Sequence, residues 1–181
     1  MKPHFNEAKT AQLAALILKL RGGTMHYMKL IKLMYIIDRT ALIRWGRPLT
    51  YDSYVSMKHG PVLSATLDLI NEPPDESSPW GRLIGPATDR YCVTLKADCP
   101  TDELSDAEEE LVAEGYKRFG YMNRYRLRDI LHEVLPEWQD PKGSSLPIEY
   151  RDILMAAKKT PAEIAEIESE LESVALVDAL T

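Results

Sequence analysis

The 181-residue chain is poor in cysteine and has no long apolar run. Its two cysteines, Cys92 and Cys99, are too few for a disulfide framework and match no zinc-ligand spacing. No stretch approaches the roughly 20 apolar residues that cross a bilayer, and the first residues lack the apolar core of a secretory signal. We therefore expect a soluble, cytoplasmic protein with no membrane contact.

The sequence also lacks the short motifs that mark common enzymes. It contains no glycine-rich phosphate-binding loop, no zinc-protease motif and no nucleophile elbow. His26, His59 and His132 stand far apart, each without a second ligand at a metal spacing. These absences favour a protein that is not an enzyme and holds no cofactor or metal. A small enzyme of unrecognised type is an alternative, for which we expect a deep pocket with convergent titratable groups.

Charge is distributed unevenly along the chain. The 22 Lys+Arg and 28 Asp+Glu residues give a net charge of −6. Residues 1–60 hold ten bases against three acids, a balance of +7, so residues 61–181 carry −13. The acidic total argues against non-specific DNA binding, whereas the basic front leaves nucleic-acid binding open. A DNA-binding regulator of its own operon is therefore the first alternative, ahead of the small enzyme.

Hydrophobic periodicity predicts an α+β, mainly α-helical domain. Residues 25–45 are apolar on most of their helical surface, which predicts a central buried helix surrounded by other helices. Residues 49–59 are predicted to be extended or irregular. Alternation within 80–97 predicts a small β-hairpin whose best strand is 90–95. Other helices are predicted over 7–21, 62–70, 126–135, 148–159 and 161–178, the last capped by Thr160. One more is predicted to follow the capping box at Ser105 and to reach Phe119.

Three short motifs follow one another in the basic front. Residues 29–38 read Lys-Leu-Ile-Lys-Leu-Met-Tyr-Ile-Ile-Asp, residues 46–49 read Gly-Arg-Pro-Leu, and residues 58–62 read Lys-His-Gly-Pro-Val. Much later come His132, at the end of a predicted helix, and Trp138. This order resembles the Panacea domain, the family of SocA-like antitoxins and phage-associated proteins. That family typically shows a K-L-x-K-L-x-Y run, a G-x-P-L turn, a G-P-V break followed by a helix, and later a helix that ends in a Thr-His pair with a tryptophan nearby. Here Leu131 stands in place of that threonine.

The resemblance implies a binding protein. A Panacea-like antitoxin domain is expected over 1–140, with 141–181 as a C-terminal helical extension packed on it or on a partner. The resemblance implies neutralisation of a cognate toxin by direct contact, with delivery of the toxin to a AAA+ protease as a narrower version. Residues 160–181 hold six acids and no base but keep an apolar stripe at helical spacing. We expect this segment to dock on its own core, on a second copy in a homo-oligomer, or on a partner.

Two pairs of polar residues lie three positions apart on the predicted central helix. Lys29 and Lys32 could form a basic strip that contacts a partner or an anion. Alternatively, their stems cover apolar surface, or their amines pair with acids such as Asp38. Tyr35 and Asp38 form either a contact site or a buried tyrosine–aspartate hydrogen bond.

Two further groups are candidates for contact with a partner. Lys58 and His59 precede a Gly-Pro break, which predicts a rigid, exposed corner. Arginines alternate with tyrosines over residues 121–128, a mixture that suits a nucleic-acid or protein interface but also a solvated helix start. The candidate partner-binding residues are Lys29, Lys32, Tyr35, Asp38, Lys58, His59, Arg124, Arg126 and Arg128.

Overall fold

A computed structural model describes residues 2–180 of the chain. It is 54% helical with small antiparallel sheets, which confirms the predicted mainly helical α+β class. The helices are α1 Glu7–Arg21, α2 Tyr27–Trp45, α3 Ser64–Asn71, α4 Pro79–Leu83, α5 Asp106–Phe119, α6 Arg124–Val134, α7 Tyr150–Ala156 and α8 Pro161–Asp178.

Short strands form two antiparallel sheets of three strands each. One sheet has the order β1-β5-β4 and the other the order β3-β2-β6. The predicted hairpin is present as the pair β4–β5, although α4 occupies the first part of its range. The strands are β1 Thr24–His26, β2 Tyr54–Met57, β3 Gly60–Leu63, β4 Ile84–Pro86, β5 Cys92–Leu95 and β6 Leu146–Ile148.

Helix α2 is the centre of the fold. All ten residues of Lys29–Asp38 are buried, and α1, α5, α6 and α7 contact this helix from different sides. Because consecutive residues point around the whole helix circumference, unbroken burial means that α2 is surrounded. It ends at Gly46, whose left-handed conformation (φ 73°) places its N–H on the carbonyl of Leu42. The predicted central buried helix is confirmed.

Local capping signals fix the starts of two helices as predicted. Ser105 accepts a hydrogen bond from Glu108 N, and the Glu108 side chain accepts one from Ser105 N. Thr160 and Glu163 form the same reciprocal arrangement at α8. Each capping box satisfies two amide groups that have no partner within the helix, so the helix begins at a defined residue.

The segment after residue 140 packs on the rest of the fold. Strand β6 pairs with β2, and the Tyr150 hydroxyl donates to the backbone oxygen of Asp52 at 2.9 Å. Helix α8 buries Ile164, Leu171 and Ala175 against the protein. The predicted apolar stripe therefore docks on the protein's own core. Val174, one position before Ala175, is 38% exposed and lies outside the buried stripe.

Candidate partner-binding site

The carboxylate of Asp38 is a buried anchor for the turn that follows α2. Asp38 is fully buried, and its Oδ1 accepts hydrogen bonds from the backbone N–H groups of Leu49 (2.6 Å) and Thr50 (3.0 Å). Its Oδ2 accepts from the hydroxyls of Thr50 (2.6 Å) and Tyr54 (2.7 Å). Burial raises the pKa of this carboxyl, and the hydrogen bonds oppose that shift. Asp38 thus ties α2 to the Gly-Arg-Pro-Leu motif and to β2.

Tyr35 has a different acid as its partner. Its hydroxyl donates to Glu137 Oε1 at 3.1 Å, and Arg39 holds the same carboxylate through Nε (2.5 Å) and a terminal guanidinium nitrogen (3.1 Å). The expected Tyr35–Asp38 hydrogen bond is therefore wrong, because four other donors occupy the Asp38 carboxylate. Glu137 is a buried residue that sequence reasoning missed, and its only signal is its place beside Trp138.

Lys32 is buried behind the turn between β2 and β3. It is 1% exposed, and its Nζ donates to the carbonyl oxygen of Pro61 at 3.3 Å. Burial, and next the charge of Arg128, lower the pKa of this lysine to about 7. A Cβ added at Gly60 would lie 2.9 Å from Lys32 Nζ and 3.4 Å from His132 Nε2. Both nitrogen atoms therefore flank the glycine of the Gly-Pro-Val motif.

His132 and Trp138, the late members of the motif series, meet at the same place. Their rings stack with centroids 3.9 Å apart, and Trp138 Nε1 donates to the carbonyl oxygen of Met57 at 3.0 Å. His132 Nε2 is buried and has no hydrogen-bond partner among the described residues. Burial, followed by the charges of Lys32 and Arg128, lowers the pKa of the imidazole. The motif residues thus converge around one side of α2.

Lys29 also lies inside the fold. It is 9% exposed, and its Nζ donates to the carbonyl oxygen of Gly120 at 2.5 Å. Neither Lys29 nor Lys32 forms an ion pair within residues 2–180, and the donors to Asp38 are all neutral groups. Both amines are satisfied by backbone carbonyls, so the two lysines connect α2 to neighbouring turns.

Cations and tyrosines are exposed at the start of α6. Tyr121 is 83% exposed and Tyr125 is 53% exposed. The guanidinium groups of Arg124 and Arg128 lie 4.6 and 5.7 Å from the centroid of the Tyr125 ring, which is cation–π geometry. Arg126 is exposed on the same helix. These contacts hold the Tyr125 ring in place while leaving much of it accessible to a partner.

The turn between β2 and β3 continues this surface. Lys58 and His59 are exposed, as predicted, and His59 lies close enough to His132 for its charge to lower that pKa. Arg128 acts on His132 in the same way and pairs with Asp129 at 2.7 Å. Helix α6 and the turn are therefore neighbours. The surface formed by Lys58, His59, Tyr121, Arg124, Tyr125 and Arg128 is called the basic face; Arg126, two positions from both other arginines, points away from it along α6.

An open cleft of about 600 Å³ lies beside β6 and α7, with two carboxylates in its lining. Glu137 is bound by Tyr35 and Arg39, and Asp152 accepts a hydrogen bond from Glu149 N in the capping box of α7. Both carboxylates therefore serve the fold. Within residues 2–180, no group of three or more potential ligands is arranged to hold a metal, and no helix is long and apolar enough to cross a bilayer.

The fold and the motif cluster define a small, mainly helical α+β domain whose turns are fixed on one central helix by buried polar bonds. The family model described as "Antitoxin SocA-like, Panacea domain" matches residues 30–139, and the chain belongs to this family. The matched range begins within α2 and includes Asp38, His132 and Trp138. Searches of curated proteins and of solved structures found no match.

Proposed function

We propose that this protein is an antitoxin that neutralises a cognate toxin by direct protein–protein contact through the basic face. Membership of the antitoxin-like family gives the class of partner. The observation that supports the location is the exposure of Tyr121 and Tyr125, with Arg124 and Arg128 against the Tyr125 ring. Tyrosine and arginine are the residue types that most often dominate the energetics of protein interfaces.

Charge supports the same surface and describes the partner. The chain carries −6 overall, but Arg124 and Lys58 form no ion pair within residues 2–180. Asp129 pairs with Arg128 there, and the remaining bases leave the surface positive. A basic surface on an acidic protein attracts an acidic patch and steers its approach. The toxin is therefore expected to present carboxylates, and association is expected to weaken as salt concentration rises.

Co-expression with the neighbouring gene product tests this proposal. The double variant Tyr125→Ala/Arg128→Glu removes one aromatic contact and reverses one charge on the basic face, so it is expected to lose neutralisation. Arg82→Glu is the matched control, because Arg82 is exposed on α4, outside the basic face. A neighbour that is harmless when expressed alone, or a double variant that protects as well as the native protein, would contradict the proposal.

The mode of neutralisation is measured separately. Under sequestration alone, the toxin half-life in cells is unchanged by the antitoxin. An adaptor would instead shorten the toxin half-life, and only in cells that retain the AAA+ protease. Pulse-chase measurement of the toxin in the four combinations of antitoxin and protease distinguishes the two modes.

The basic face also favours a second candidate function, binding to the protein's own operator. Arginine and tyrosine side chains contact phosphates and stack on bases as well as on proteins. A gel shift with the promoter at two salt concentrations tests this alternative. Sequence-specific binding would survive competition by unrelated DNA at the higher salt, whereas attraction of bulk charge would not.

A further inference from the structure

A second cationic feature lies where α1 ends and α2 and α6 begin. It is a cleft of about 280 Å³ whose lining contains three permanently or usually charged bases and one histidine. None of its lining residues carries a carboxylate. The lining residues are Arg21, Thr24, Met25, His26, Lys29, Cys92, Asn123 and Arg124.

The positive charges in this cleft are not compensated by ion pairs. Lys29 is 9% exposed, and its one hydrogen bond goes to a neutral carbonyl. Arg21 and Arg124 are absent from the ion pairs of the described residues. Burial is the largest cause of the lowered pKa of Lys29 and of His26. The charge of Arg21 is the next cause for Lys29, and the charge of Arg124 is the next cause for His26. The smaller contributions of Arg21 and Arg124 to these shifts are repulsion between lining cations, which a bound anion would relieve.

One acid faces the cleft from outside its lining. Asp89 accepts a weak hydrogen bond from the Cys92 thiol at 3.8 Å, and its charge raises the pKa of His26. A single carboxylate beside three bases leaves the cleft positive.

Helix geometry adds to the positive potential. His26 caps α2, a helix of 19 residues, by accepting a hydrogen bond from Met28 N at 3.1 Å. Asn123 caps α6 in the same way through Tyr125 N (3.1 Å) and Arg126 N (2.9 Å). Two helix N-termini therefore meet at one cleft, and each carries a partial positive charge.

We propose that this cleft is an oxyanion site that accepts a single carboxylate side chain of the protein partner. Its volume of about 280 Å³ lies just below the roughly 300–1,000 Å³ of small-molecule pockets, so it suits one side chain better than a nucleotide. Arg124 belongs both to the cleft and to the basic face, so the site lies at the edge of that surface. The identity of the occupant rests on the proposed function, whereas the oxyanion chemistry does not.

The first experiment uses the protein alone, with inorganic phosphate as the probe. Thermal unfolding is followed in sodium phosphate and in sodium chloride of equal ionic strength at pH 7. At a phosphate concentration ten times its Kd, the unfolding midpoint of the native protein is expected to rise by about 3–6 °C. The rise is expected to disappear in Arg21→Gln/Arg124→Gln and to persist in Arg82→Gln. Equal responses in all three proteins would overturn the oxyanion site.

The second experiment uses the toxin complex. Arg21 lies outside the basic face, so Arg21→Gln reports on the cleft. Loss of one charge-assisted hydrogen bond is expected to weaken toxin binding about tenfold, with partial recovery in Arg21→Lys. Unchanged affinity in Arg21→Gln would overturn the carboxylate assignment and leave the proposed function intact. A native protein that binds no toxin would overturn the proposed function and with it the assigned occupant, and the phosphate titration would still decide the oxyanion site.

Discussion

Asp38→Ala is expected to destabilise the protein strongly, because it removes the acceptor of four buried hydrogen bonds. Two of the donors are the backbone N–H groups of Leu49 and Thr50, and two are the hydroxyls of Thr50 and Tyr54. The hydroxyls can rotate toward other acceptors, but the backbone groups cannot. The turn after α2 would then hold two amides with neither a protein partner nor water.

The magnitude follows from these donors. A buried donor left without a partner costs about 1–3 kcal/mol, so two amides cost about 2–6 kcal/mol. Burial raises the pKa of Asp38, which means that the charged carboxylate itself is unfavourable in the fold. Its removal offsets part of the loss, and we expect a net decrease of about 1–5 kcal/mol in the free energy of unfolding. Asp38→Asn keeps one oxygen for both amides and is expected to cost about 1–2 kcal/mol.

Urea unfolding at pH 7, followed by circular dichroism and by tryptophan fluorescence, measures both values. Asp68 on α3 provides the control pair, because it is an exposed acid on a helix and its replacement should change stability by less than about 0.5 kcal/mol. A loss below about 1 kcal/mol in Asp38→Ala by both probes would refute the anchoring role. Equal losses in the alanine and asparagine variants would refute the assignment of the cost to the backbone amides.

Two further predictions concern the turn between β2 and β3. The pKa of Lys32 is about 7 in the fold, against an ordinary value of 10.5. Between pH 7 and pH 10.5 the unfolded chain therefore binds more protons than the folded protein, so stability rises with pH over that range. Lys32→Met is expected to flatten the rise between pH 7 and pH 9 in urea unfolding, and an identical rise in both proteins would count against the assignment. Gly60→Ala is expected to cost about 1–3 kcal/mol, because Gly60 has φ +102° and its Cβ would approach Lys32 Nζ. Gly143→Ala, at φ +123° with open space around it, is the control, and an equal cost at both glycines would show that contact with Lys32 adds nothing.

The helices could be predicted because their signals are local. Periodicity places α1 at 7–21, and the Thr160 capping box starts α8 at the following proline. Pairing between distant strands carries no such signal. Residues 24–26 and 60–63 form strands where helices were predicted to begin, because hydrogen bonds to β5 and β2 satisfy their backbones.

The candidate site was predicted less completely. The exposure of Lys58 and His59 could be predicted, because the Gly-Pro break that follows them is a turn motif visible in the sequence. The burial of Lys29 and Lys32 could not be predicted in this way. Lysines three positions apart on a helix can extend either to solvent or to a buried carbonyl. The carbonyls of Gly120 and Pro61 decide the outcome, and both come from distant parts of the chain. Glu137 belongs to no periodic pattern, so only the fold reveals its partnership with Tyr35.

The position of β6 has a consequence for synthesis of the chain. Strand β2 ends at Met57, and its partner β3 follows directly in the chain, whereas its other partner, β6, begins only at Leu146. Roughly 90 residues must be translated between them, which takes about 5–20 s at about 5–20 residues per second. Throughout that interval the outer edge of β2 is unpaired, and an unpaired strand edge is available to other chains. Newly made protein therefore passes through a stage that is more prone to association than the finished fold.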